Sequence, residues 1–118
     1  MMKRLMNNVN ELVSQERLMN NVNELVSQEL KMANTNFPPF NSNHEGYAVL
    51  LEEVEEAEQE MCMVKSSLNY VWGAVKTDIP IIPVEDVKNY AVRLACEAIQ
   101  VAAMCDKFID FKNSKETK

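Results

Sequence analysis

Apolar residues recur at every third or fourth position along three long stretches of this chain, the period of a helix with one face turned to a core. The breaks between the stretches are short and carry the prolines Pro38, Pro39, Pro80 and Pro83. The first stretch predicts a helix that ends at the loop Asn34 to Asn43. Ser42-Asn43-His44-Glu45 has the capping-box pattern, so a second helix is expected from there to about Lys65. Ser66 or Ser67 is expected to cap a short helix through Trp72 to Lys76. TDIPIIP reads as a linker, and Pro83 suits the first turn of a last helix that carries Glu85 and Asp86 near its positive N-terminal end. That helix is expected to reach about Phe111, before the polar tail NSKETK. The fold class is therefore all-α, an antiparallel helical bundle. Its organisation is an N-terminal helix over residues 1–33, a helical domain over 34–112 and a tail over 113–118.

The N-terminal helix contains a repeat. Arg4 to Glu16 and Arg17 to Glu29 both read RLMNNVNELVSQE, an identity closer than structural repeat arrays keep, so a recent duplication is the best account of it. At about 100° per residue, a thirteen-residue shift turns the pattern by about 140°. Leu5, Val9, Leu12 and Val13 form one apolar arc, and Leu18, Val22, Leu25 and Val26 form the same arc rotated, so both cannot face one core. The second copy runs into the loop and is expected to dock. The first is expected to protrude, pair with another subunit or fray.

Composition narrows the function classes. A chain of 118 residues has room for one domain and little room for a deep private active site, which favours association of subunits. A net charge of -6 argues against binding nucleic acid or anionic membrane surfaces, where clustered Lys and Arg are needed. No apolar run reaches the roughly 18 residues of a membrane span and the N-terminus lacks a hydrophobic signal core. The three cysteines cannot all pair, and Cys96 and Cys105 lie too far apart along one helix to meet, so Cys62, Cys96 and Cys105 read as reduced core thiols of a cytoplasmic protein.

The candidate chemistry lies in carboxylates. With Glu52 as zero on the second helix, Glu45 falls near about 20°, Glu56 near about 40° and Glu53 near about 100°, while Tyr47, Leu50, Val54, Ala57 and Met61 gather on the other side. Carboxylates this close repel unless a hard cation neutralises them, and oxygen ligands with room for water and phosphate are what magnesium prefers. A solvated acidic face is the alternative, with Glu45 serving only its capping box. On the last helix Glu97 sits within a stripe of Tyr90, Leu94, Val101, Met104 and Phe108. A carboxylate there needs a cation, either a metal or Arg93 one turn earlier.

Glu52-Glu53-Val54-Glu55-Glu56 followed by Glu97 on a later helix resembles the EExxE and ExxD signature of MazG-like nucleoside triphosphate pyrophosphohydrolases. HEGYAVLLEEVEEAEQEM and EAIQVAAM resemble small phage and prophage members, and the likeness spans about Phe37 to Asp110. The resemblance implies a helical bundle completed as a homodimer or homotetramer in a bacterial or phage-infected host cytosol. It implies a nucleotide as the small-molecule partner and magnesium bridging glutamates to phosphates. Glu52, Glu53, Glu56, Glu97 and Gln100 carry over as the metal set, with Glu53 or Glu56 orienting the attacking water. Gln100 stands where the pattern has Asp; its amide oxygen can coordinate magnesium but carries no charge and cannot act as a base.

Trp72 could stack on a base and Lys107 could reach a phosphate. His44 has no Cys or His nearby to make a zinc motif, and Met61, Met63 and Met104 read as adaptable packing. The implied activity is magnesium-dependent release of pyrophosphate from a nucleoside or deoxynucleoside triphosphate. The alternatives are a catalytically weak protein that binds or sequesters a nucleotide on the same fold, and a structural interaction module. An oligomer is further expected because three helices leave Ile99, Ala102, Ala103 and Ile109 of the last helix incompletely covered.

Overall fold

A computed structural model describes residues 1–116 as three helices: α1 over Met2–Asn36, α2 over Asn43–Lys76 and α3 over Val84–Glu116. Thr117 and Lys118, the end of the expected tail, lie outside the described residues. Among the described residues there is no strand, and no helix is long and apolar enough to cross a membrane. α2 and α3 run antiparallel: Gly46 near the start of α2 meets Phe108 near the end of α3, and Glu60 further along α2 meets Arg93 earlier on α3. α1 packs on α3 alone among the helices described. The outline, 63 × 40 × 20 Å, is long and flat.

Local chemistry accounts for the helix ends. Ser42 caps α2, its hydroxyl accepting from the Glu45 N–H at 3.1 Å. The Glu45 carboxylate reaches back to the N–H of Asn41 at 3.2 Å, one residue before the cap. Glu45 thus serves the helix start, as one reading of the sequence allowed. At the far end Thr77 donates both its N–H and its hydroxyl to the Gly73 carbonyl, and Asp78 turns the chain with a left-handed φ of 54°.

Three expectations are corrected. α2 does not break at Ser66 or Ser67; it continues unbroken to Lys76, with Ser67 buried. A serine inside a helix costs only a few tenths of a kcal/mol, and no Pro interrupts this stretch. α3 likewise passes Phe111 and reaches Glu116, where Lys115 Nζ stands 5.6 Å over the Phe111 ring one turn back. The cysteines are free, but Cys62 and Cys96 are exposed and Cys105 is half-buried, so they are not core thiols.

The core is small and centred on α3. Val26 of α1, Phe40 of the α1–α2 loop and Ala103 and Met104 of α3 are buried together, with Leu30, Ala33, Leu50 and Ile99 packed around them. Ala103 is fully buried, and Ile99 and Ala102 are covered by the same cluster, whereas Ile109 is exposed. The open surface expected on α3 is therefore largely closed by α1. The duplication shows the cost of its rotation: Val26 is 5% exposed, while Val13, the same letter of the first copy, is 61% exposed. α1 is one continuous helix through both copies, and the whole first copy is exposed.

Phe108 ties the bundle to the loop through an edge-on contact with Phe40 at a ring separation of 6.0 Å, and stands edge-on to Phe111 of its own helix at 6.3 Å. A Cβ on Gly46 would stand 2.6 Å from this ring. Gly46→Ala is expected to lower stability in urea denaturation, because overpacking costs about 1–3 kcal/mol and the gain in helix propensity is at most about 1 kcal/mol. Deleting Met2 to Glu16 is expected to change stability by less than about 0.5 kcal/mol, since that segment covers nothing. A larger loss of melting temperature would show that the first copy packs.

Candidate metal centre

The antiparallel pairing of α2 and α3 brings one turn of α2 against the middle of α3. Glu53 and Glu56 are one turn apart on α2, and Glu97 faces them from α3; one carboxylate oxygen of each lies within 4.8 Å of the other two. Oxygens on opposite sides of one magnesium stand about 4 Å apart, so an ion fits this group with a small side-chain adjustment or through bound water.

The electrostatics of the trio are those of crowded acids. Burial raises the pKa of Glu97 above its ordinary 4.5, and a hydrogen bond and charge from Glu56 raise it further, followed by the charge of Glu60; Arg93 opposes them. Burial likewise raises Glu53, followed by the charges of Glu56, Glu97 and Glu52. Arg93 does not pair with Glu97 directly. Its Nη2 lies 3.3 Å from Glu60 Oε1, and its guanidinium stands over the Tyr90 ring. Glu60 Oε2 is buried without a hydrogen-bond partner on the same side of α2. Of the two cations the sequence offers Glu97, the protein side chain is committed elsewhere.

Beside the acids lies a cavity of about 520 Å³ between the loop, α2 and α3. Glu52 and Glu53 stand on one side, Phe37 and Phe40 form an apolar wall, and Gln100 and Lys107 complete it. Lys107 is buried, with Nζ 5.0 Å over the Phe40 ring. Gln100 donates its amide to Glu29 Oε2 of α1 at 2.7 Å, so this side chain ties α1 to α3.

Among the expected metal residues, Glu53, Glu56 and Glu97 converge, while Glu52 and Gln100 line the cavity beside them. Of the two expected nucleotide-binding residues, Lys107 is in the cavity and Trp72 is not. Trp72 lies sixteen residues beyond Glu56, about 24 Å along the helix, exposed beneath Lys76. Sequence reasoning missed the aromatic wall and Glu60. The aromatics flank Pro38 and Pro39 in a segment read only as a loop, and Glu60 lies at about 80° on the same face as Glu56, a signal the helical angles contained.

Raised carboxylate pKa values fix the sign of the pH response. Their stabilisation is complete below 4.5 and is lost as pH rises through the raised folded values, so the crowded charges cost more at neutral than at acid pH. In chelator, the melting temperature is expected to rise as pH is lowered from 7 toward about 5. Glu97→Gln is expected to raise metal-free stability at pH 7, by less than about 1 kcal/mol given solvent screening, and to flatten that pH response. A loss of stability with or without magnesium would instead show that Glu97 depends on Arg93. No family model, curated protein or solved structure matches the chain.

Proposed function

We propose that this chain is a magnesium-dependent pyrophosphohydrolase that cleaves a nucleoside or deoxynucleoside triphosphate to the monophosphate and pyrophosphate. The observation that carries the reading is the convergence of Glu53, Glu56 and Glu97 at the edge of a cavity with both an aromatic wall and a buried lysine. The donor set is oxygen only and overcharged, which suits magnesium rather than zinc. Glu53, Glu56 and Glu97 would hold the ion, with Glu52 adding negative charge alongside. Magnesium bound there would supply the positive charge that offsets the acids and polarises a phosphoryl group.

The chain's own residues would do the rest. Glu53, whose proton affinity burial and the neighbouring carboxylates raise, is suited to accept a proton from water. Phe37 and Phe40 would cover an apolar face of the ligand, and the Lys107 ammonium would meet phosphate charge. Gln100 supports the second reading, a protein that binds a nucleotide and turns it over weakly or not at all. Its amide is held by Glu29 and, unlike the Asp of the resembled pattern, adds no charge to the centre.

The deciding experiment is incubation with a panel of triphosphates and magnesium while pyrophosphate is followed. Glu56→Gln is expected to lower kcat by at least about a hundredfold, the range lost with a positioned acid–base or metal-holding group. Lys107→Met, which keeps the apolar stem, is expected to raise KM with little change in kcat. Nucleotide-dependent thermal stabilisation without turnover would select the second reading, and neither effect would leave the acids as a solvated face.

A further inference from the structure

A second face of α2 is covered by neither α1 nor α3. Tyr47, Leu51, Val54, Met61, Leu68 and Trp72 are all exposed, and they follow one line in steps of four and three residues. That 3.5-residue period is a coiled-coil seam, and Val75 continues it. The two seam positions without apolar side chains are Glu58 and Lys65, both exposed. The line runs about 40 Å at 1.5 Å per residue and about 10 Å across, so the patch approaches about 400 Å², as large as the largest apolar patches of monomers.

We propose that a second copy of this chain docks on this seam, its α2 antiparallel to the first and the two-fold axis beside Met61 and Cys62. Charge selects both the occupant and the direction. About that axis Glu58 faces Lys65 of the partner subunit, and Lys65 faces Glu58 of the partner subunit, so each interrupting charge meets its opposite. The other layers pair a smaller with a larger apolar side chain: Val54 with Leu68 of the partner subunit, Leu51 with Trp72 of the partner subunit, Val75 with Tyr47 of the partner subunit. A parallel dimer would set Glu58 against its own copy, and Lys65 likewise, inside one desolvated seam. The sequence is complementary to itself in one direction only.

The test uses the full chain. Sedimentation at micromolar concentration is expected to show a dimer. Glu58→Lys and Lys65→Glu are each expected to weaken it by at least about tenfold, and the two together to restore it, because only an antiparallel register reunites the swapped charges. Leu68→Asp is expected to give a monomer with an unchanged helical circular dichroism spectrum. A short thiol-specific bifunctional cross-linker is expected to join wild-type subunits through Cys62, and Cys62→Ser to abolish the product while Cys96→Ser leaves it. A monomeric wild type, a dimer that survives Leu68→Asp, or a double charge swap as weak as the single changes would each overturn the proposal. None of these readouts involves nucleotide or magnesium, so this interface and the proposed activity stand or fall separately.

Discussion

Both other helices lean on α3, and the constraint that sets the rest of the structure is how closely α2 can approach it. Gly46 has no side chain where the Phe108 ring lies, so the two helices close at that point. Phe108 in turn holds Phe40, and Phe40 carries the loop whose aromatics wall the cavity. With the helices antiparallel and close at this end, Glu53 and Glu56 come opposite Glu97. Packing at one glycine thus fixes the distance over which three carboxylates interact some turns away.

The acids work against that packing. Five apolar residues are buried among those described, a small core for a chain of 118 residues, and it must hold together a centre whose charges repel. The raised proton affinities of Glu53 and Glu97 express that conflict. Arg93 relieves part of it, pairing with Glu60 at the rim and offsetting some of the charge on Glu97. Local strain of this electrostatic kind is characteristic of sites that take up a ligand, since a cation that binds the folded state alone stabilises it.

Much of the apolar surface stays outside this core, and it is distributed in two different ways. On α1 the duplicated segment exposes its side chains because a helix turns the second copy away from the first, so identical residues meet different surroundings. On α2 seven exposed apolar residues, from Tyr47 to Val75, keep one heptad line along the helix, with Met63 and Tyr70 off it. The first is the consequence of a copied segment with no register to match; the second keeps one period, interrupted only by Glu58 and Lys65.

Helical periodicity, the positions of the prolines and the Ser42 to Glu45 cap were enough to read three long helical stretches and the start of the second, because each is decided by neighbours within four residues. The helical angles also put Glu53 and Glu56 on one face and Glu97 within the buried stripe of α3. They could not say that these faces would meet, that Arg93 would go to Glu60, that Gln100 would be held by Glu29, or that Trp72 would be left far from the acids. Nor could they see that Ser67 would be covered and pass without a break, or that α1 would close the surface of Ala103. Those outcomes depend on which helix lies against which and in what direction. They are set by long-range packing around Phe108 and Gly46, where free energy is shared among residues more than fifty positions apart and no local pattern records it.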